Sequence, residues 1–402
     1  MDLPAHPAET LPASSRHTLS RRAVVVGIAC LVVGGTAGSS LTWTMLRSQF
    51  RLLPRAQRTQ ANNMLLPRSF FRATLLQTGH VLIEGGVLPD KTTTAQSELF
   101  DPTRGTWRQT RGSLNELRAK HTATLLPGGM VLVTGGFGTM TRSSAELYDP
   151  RLETWTLTKV SMKHARARHT ATLLKTGNVL IAGGVSDTLT ESYDPSTDTW
   201  FGSGNMATRR FDHVAVRLLD GTVLVAGGRT KNDMHDNQSI TNSAEIYDPK
   251  TNTWASLPNM HFARADFTAA LLHDGSIMVI GGRLQSGDLT QTTEIYNPDT
   301  RRWLLGANMN YIRQNPLGQE ALQSEDGAIL VVGGDTLGTS ESYVPTTGTW
   351  VSPLRLRSRH YLGATASLNN GQAFVVGGFN AVSTDDKSKI TDSTELYWPG
   401  SK

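Results

Sequence analysis

An all-β fold, a closed ring of seven four-stranded antiparallel sheets, is what this 402-residue sequence predicts. Three recurring features carry the prediction. A Gly-Gly pair closes an apolar run seven times, at 85–86, 135–136, 183–184, 227–228, 281–282, 333–334 and 377–378. Each pair is followed by a Glu, one further residue and an aromatic. Six of the seven Glu residues are followed by a Trp at a constant distance of nine. Self-similarity at a fixed period marks a repeat array, in which each unit buries its faces against its neighbours.

The elements follow in order. The spacings between successive pairs are 50, 48, 44, 54, 52 and 44 residues. A glycine stands six residues before every pair: Gly79, Gly129, Gly177, Gly221, Gly275, Gly327 and Gly371. Four of them follow Asp220, Asp274, Asp326 or Asn370. Asp-Gly or Asn-Gly between apolar runs signals a hairpin, because the tight turn needs positive φ. Each unit therefore opens with two hairpin-linked strands, as in HTATLL/GMVLVTGG around 121–136. The third strand is Glu98/Phe100, Glu146/Tyr148, Glu191/Tyr193, Glu245/Tyr247, Glu294/Tyr296, Glu341/Tyr343 and Glu395/Tyr397, with the period of two that a strand has. A turn such as Asp149-Pro150 follows. The fourth strand then starts at Trp107, Trp155, Trp200, Trp254, Trp303 or Trp350.

This set of paired Gly, Glu-x-Tyr and Trp resembles the kelch repeat, over residues 64 to about 399. The resemblance implies one four-stranded blade per repeat, hence a seven-bladed kelch β-propeller around a central channel. The expected organisation is a polar tail at 1–22, a hydrophobic segment at 23–46 and a propeller over 51–402. Blades are expected at 64–113, 114–161, 162–205, 206–259, 260–308, 309–353 and 354–402, the last completed by 51–63. The seventh unit ends at Tyr397-Trp398-Pro399, before position 404 where its fourth strand would begin. Asn62-Asn63-Met64 matches the fourth-strand tails Asn205-Met206, Asn259-Met260 and Asn308-Met309. An N-terminal strand within 51–61 is therefore expected to close the ring, since an open ring leaves edge N–H and C=O groups unpaired.

From Ala23 to Leu46 there is no charged residue, and AVVVGIACLVV is its apolar core. Two readings stand. The segment is long enough to cross a bilayer as one hydrophobic helix. It also has the parts of a cleavable signal: Ser20-Arg21-Arg22, an apolar core, and small residues near Ala37. A membrane anchor with an extracytoplasmic propeller is the favoured expectation, and secretion after cleavage near Ala37 the other. Cys30 is the single cysteine, so no disulfide within the chain and no thiolate metal cluster is expected.

The net charge is +5. That permits anionic partners without requiring them, and nucleic acid is not an expected partner. Arg68, Arg118, Arg166, Arg210 and Arg264 stand seventeen residues before their Gly pairs, and Arg313 and Arg357 stand twenty before theirs. Seven Arg matched to seven Glu suggest repeated ion pairs that serve the blades. His121, His169 and His213 share one repeat position with Phe71 and Phe267, which marks a packed strand residue and not a metal ligand. The resemblance reaches galactose oxidase-like propellers, whose copper site uses a tyrosine cross-linked to cysteine; the repeats here contain no cysteine. There is no Gly-x-Ser-x-Gly elbow and no phosphate loop either. No catalytic residue, cofactor or metal is expected.

The interval from Gly pair to Glu runs 13, 11, 8, 18, 13, 8 and 18. The loops between second and third strands therefore differ while the frame is constant, and binding residues tend to sit on such loops. The two longest carry the candidate binding residues: Arg229, Lys231, Asp233, His235 and Asp236 on one, Asp385, Asp386 and Lys387 on the other. The expected function is a non-catalytic scaffold that recognises a protein or carbohydrate through one propeller face. The alternative is a carbohydrate-active hydrolase, lyase or epimerase with its site at the channel mouth.

Overall fold

The computed structural model describes residues 58–184, 187–233, 235–313, 321–324, 326–335, 337–380 and 389–397. Seven four-stranded antiparallel sheets follow one another along the chain. The second is typical: Thr122–Leu125, Val131–Thr134, Ala145–Asp149 and Thr154–Leu157, paired in that order from the channel outward. Innermost strands of the first five sheets touch in chain order, as do those of the sixth and seventh, and Arg72–Leu75 of the first touches Ala364–Ser367 of the seventh. Between the fifth and sixth, the Ala321 N–H donates to Thr268 Oγ1 (3.1 Å). Every second strand is buried throughout, as in Val131–Thr134, because it has a strand on each side and a blade on each face. Outer strands are wetter; Thr154–Leu157 buries only Trp155. The segment 23–46 lies outside the described residues, among which no helix is long and apolar enough to cross a membrane.

The ring closes with the two ends of the propeller in one sheet. Arg58–Gln60 pairs antiparallel with Thr394–Tyr397, in the register Arg58↔Tyr397, Thr59↔Leu396, Gln60↔Glu395. The Met64 N–H donates to the Asp392 carbonyl (2.9 Å), and the Gly378 N–H to that of Arg68 (2.8 Å). The Trp107 indole of the first blade donates to the Asn62 carbonyl at the end of that closing segment (2.9 Å).

The Gly pairs are where blades meet backbone to backbone. Gly135 has φ of 60°, and a Cβ there would lie 2.4 Å from the Arg166 carbonyl oxygen of the next blade. The Gly136 N–H donates to that same oxygen (2.7 Å). A side chain at either position would separate the blades.

Six of the seven repeated Arg lie fully buried beneath their Glu. The pairs are Arg68–Glu98 (2.5 Å), Arg118–Glu146 (2.7 Å), Arg166–Glu191 (2.8 Å), Arg210–Glu245 (2.8 Å), Arg264–Glu294 (2.9 Å) and Arg313–Glu341 (2.8 Å). The remaining Glu oxygens accept backbone N–H groups of the segment entering the blade, as Glu146 does from Asn115 and Glu116. The seventh blade departs from the expected pairing. Arg357 is exposed and gives Glu395 only its backbone N–H, while His360 occupies the buried slot and bridges Gly377 O (2.9 Å) and Glu395 (3.0 Å). His360 stands seventeen residues before its Gly pair, the spacing of the first five blades, whereas Arg313 fills the slot at twenty, so neither spacing nor residue type alone identifies it. The repeated Trp residues pack at a tilt against the aromatics of their own third strands, with Trp155 at 4.9 Å and 43° from Tyr148. The Trp155 indole reaches back to Ser97 Oγ of the preceding blade (2.9 Å).

The shared His/Phe position also has a packing explanation. Each ring leans on the first glycine of the preceding blade's pair, His169 on Gly135 and Phe267 on Gly227. His169 Nε2 meets Thr122 and Thr134 hydroxyls, and His213 Nε2 meets the Thr170 hydroxyl. Phe267 follows a blade that offers Val214 and Ala226 at those two places, paired in register. Burial holds these histidines far below their ordinary value, His213 at about 3, so they are neutral packing groups.

Before His121 the same two places hold Arg72 and Glu84, paired in register. Glu84 is fully buried; its Oε1 lies 3.4 Å from His121 Nε2 and its Oε2 has no hydrogen-bond partner. Burial raises this carboxyl well above its ordinary value, against the pull of Arg72 and then Arg68. A raised folded value means stability present at low pH and lost as pH rises past the unfolded carboxylate range toward the folded value. Glu84→Gln should therefore be more stable than the parent at pH 8, where the parent must take up a proton or bury a charge to fold, and little different at pH 4. The gain is about 1.4 kcal/mol for each pH unit between the ordinary and the raised value. Urea melts at the two pH values measure this, and an equal change at both would refute it.

Candidate functional site: the channel mouth

The channel mouth is built on one repeat position, two residues beyond the buried Arg. Phe70, Lys120, Arg168, Asp212 and Asp266 stand there, and Leu362 stands two residues beyond the buried His360, all with φ between 51° and 61° in the left-handed region. That conformation costs on the order of 1–2 kcal/mol per residue for a non-glycine residue. It persists because it turns each carbonyl toward the next blade. Phe70 N–H donates to Leu362 O (3.1 Å), Lys120 to Phe70 (3.0 Å), Arg168 to Lys120 (3.1 Å), Asp212 to Arg168 (3.1 Å) and Asp266 to Asp212 (3.3 Å). One backbone geometry thus presents six side chains of five kinds around a shared rim.

Those side chains divide the mouth in two. On the side of the first and seventh blades, Phe70, Leu362, Phe379 and Ile390 pack together with Ala119. Phe70 and Phe379 meet edge to face at 6.2 Å, and Lys120 Nζ lies 4.7 Å over the Phe70 ring. On the side of the third to fifth blades the mouth is ionic. Arg168 grips both oxygens of Asp212, its Nε at 2.8 Å from Oδ1 and its Nη2 on Oδ2. Arg168 Nη1 also donates to Asn232 Oδ1 (2.7 Å). Arg229 Nη2 donates to Asp266 Oδ2 (2.9 Å), and its Nε lies 3.9 Å from Asp212 Oδ2. Burial lowers the Arg168 guanidinium to about 10, with Asp266 opposing and Arg229 adding to the shift. Burial likewise pushes Tyr361 up to about 12, reinforced by the Asp266 charge and countered by Arg283. Asp266 Oδ1 has no hydrogen-bond partner.

Below the rim runs a cavity of about 460 Å³. Small residues of the innermost strands, Ala73, Ala123, Ala171, Ala215, Ala269 and Ala321, keep it open. The described residues contain no group of three or more His, Cys, Asp or Glu side chains that could hold a metal. The single cysteine of the chain is Cys30, so the propeller repeats offer no thiol to cross-link a tyrosine.

The residues expected on the fourth-blade loop take different places. Arg229 is 1% exposed and serves the ionic side of the mouth. Lys231 is 61% exposed and pairs with Asp236 (2.9 Å), a bond that holds the Asp236 carboxyl below its ordinary value. Asp233 is exposed and accepts the His235 N–H (2.8 Å), and a single 3₁₀ turn, Asn237–Ser239, completes the loop. Asp385, Asp386 and Lys387 lie outside the described residues. On the second blade, Leu117, Phe137 and Met140 are exposed beside the rim, with Phe137 bridged to Ala119.

Sequence reasoning passed over Arg168, Asp212, Asp266, Phe70 and Leu362. The signal was present: one slot two residues beyond the buried Arg reads Phe, Lys, Arg, Asp, Asp between nearly constant neighbours.

A family model described as the Kelch motif matches residues 210–261 and 265–310. Kelch-like protein 36 of Rattus norvegicus is 31% identical over 96 residues, 24% of this chain and 15% of that protein. An F-box/kelch-repeat protein of Arabidopsis thaliana is 33% identical over 95 residues, 24% of this chain and 22% of that protein. Kelch-like protein 23 of Homo sapiens is 28% identical over 211 residues, 52% of this chain and 34% of that protein. These matches span about a third or less of each relative's own length. Among solved structures, a fungal alcohol oxidase of the AA5 family in complex with copper superposes with a TM-score of 0.68 at 16% identity. That match covers 86% of this chain and 76% of the oxidase chain, and it is a likeness of fold.

Proposed function

Because the chain is a kelch-repeat β-propeller, we propose that it is a scaffold that captures a protein partner on its loop-bearing face. The observation that carries this reading is the asymmetry of that face. A rim of equivalent backbone bears an apolar half and an ionic half, and exposed Leu117, Phe137 and Met140 border it. Adjoining exposed apolar side chains rimmed by polar ones mark interaction surfaces, and variable loops on a rigid frame are the usual place for them. Phe137→Glu combined with Met140→Glu should lower recovery of a cross-linked partner about tenfold or more, the effect of removing two apolar anchors. Leu304→Glu with Leu305→Glu, on an outer strand, is the control. Equal recovery by all three proteins would sink the reading.

A carbohydrate-active enzyme is the second reading, because two carboxylates and two arginines do converge at the mouth. Asp212, however, has both oxygens engaged by Arg168, which leaves Asp266 Oδ1 as the open carboxylate oxygen. Glycoside chemistry needs two working carboxyl groups, and a tyrosine raised to about 12 is no better a nucleophile than free phenol. Binding is therefore the better supported reading. Carbohydrate recognition through the loops at 229–244 and 379–394, and an N-terminal anchor at 23–46 holding the propeller outside the cytoplasm, belong to the same proposal. They rest on loop length and on the uncharged run from Ala23 to Leu46. A glycan array and mass spectrometry of the mature N-terminus test them.

A further inference from the structure

We propose that Arg168, Asp212 and Asp266 are positioning residues that latch the fourth-blade loop over the channel mouth as a preformed arm. The inference rests on the reading of this face as a binding surface and says which element of it is presented in fixed geometry. The loop leaves the sheet at Arg229, and its root is held from both neighbouring blades. Arg168 of the third blade donates to Asn232 of the loop while its other nitrogens are committed to Asp212. Asp266 of the fifth blade accepts from Arg229. Arg168, Asp212, Arg229 and Asp266 are all more than nine-tenths buried, so these contacts are little screened by salt. Two positive and two negative charges balance within the group.

The rest of the loop is built on that root. Arg229 bridges to Ile240, the Thr230 N–H donates to Ser239 O (2.8 Å), and the Thr241 N–H donates to Gly228 O (2.9 Å). The fifth-blade loop leans on it as well, with Gln285 Nε2 donating to Gln238 O (3.4 Å). Lys231, Asp233 and His235 are thus carried, exposed, on an arm whose ends are fixed. A partner meets them without ordering the arm first, and the entropy of ordering a loop is among the larger costs of association.

Hydrogen exchange on the full chain tests the latch directly. Asn232 is exposed, so Asn232→Ala removes the loop-side partner of Arg168 without opening the core. Exchange of the Thr230, Ile240 and Thr241 amides should quicken about tenfold, the loss expected of one hydrogen bond to a charged group. Arg168→Lys should quicken the same amides, since an ammonium has no fork to hold Asp212 and Asn232 together. The Thr290 amide of the fifth-blade loop, which donates to Gly282 O, and the melting temperature of Asn232→Ala should stay at their parent values. Unchanged exchange at Thr230 and Ile240 in Asn232→Ala would overturn the latch. So would quickening spread evenly over all blades, which would mean that the group merely packs the ring. Neither result bears on partner capture, which Phe137 and Met140 test separately.

Discussion

A chain that begins at Met64 should unfold at much lower urea concentration than one that begins at Arg51, and over a broader transition. The reason is the shared seventh sheet. Removing Arg58–Gln60 strips Thr394–Tyr397 of its outer neighbour and turns a paired strand into an edge. It also deprives the Trp107 indole of the Asn62 carbonyl and uncovers the apolar cluster that Ala61 packs against. Lost pairing and exposed apolar surface together amount to about 3–6 kcal/mol. Natural domains hold only about 5–15 kcal/mol in total, so that loss is a large part of the whole. In a ring each blade supports two others, and the seventh blade's loosening passes to the first and sixth. Tryptophan fluorescence during urea titration reads the outcome. Superimposable transitions for the two chains would refute closure by this strand.

Glu146→Ala should cost about 3–5 kcal/mol, the effect of removing one partner of a buried ion pair. Arg118 would keep its charge in a site with no solvent contact and would retain only the carbonyls of Gly135 and Ser144 and the Ser144 hydroxyl, with Glu116 3.6 Å away. The backbone N–H groups of Asn115 and Glu116 would lose their acceptor as well. One carboxylate thus joins the third strand to the segment that enters the blade, and its loss is felt at both. The contrast is Glu153→Ala, which removes the exposed pair with Arg108 and should cost about 1 kcal/mol or less. Thermal melts of the two variants at neutral pH compare them, and equal costs would refute a structural role for the buried pairs.

The blades were legible in the sequence because their defining positions are local and repeated. A glycine pair, a Glu-x-Tyr and a Trp each answer to a steric or hydrogen-bonding demand inside one blade or across one blade contact, and that demand recurs in every copy. The seventh buried slot was misread at Arg357 because residue type was followed, by analogy with Arg313 at twenty residues, where the slot returns to the spacing of seventeen seen in the first five blades. His360 fills the slot since its two ring nitrogens reach the same carbonyl and carboxylate that the guanidinium reaches in the other blades. The candidate site was less legible. Arg229 was singled out as a loop residue, but its partners, Asp212 and Asp266, stand 17 residues before it and 37 after it. The rim slot was overlooked because its members share a backbone conformation and no chemistry.

From the sequence alone came the number of blades, the strand order within each and the strand that completes the ring. These follow from periodicity, since a repeating demand on the backbone leaves a repeating residue. Which side chains face one another across the channel was decided only by the closed ring. Curvature brings together Arg168, Asp212, Arg229 and Asp266 from three blades and sets Phe70 against Phe379 from two others. The asymmetry of the mouth is therefore a property of the assembled wheel, made of positions whose variation in the chain carries meaning only once their neighbours are known.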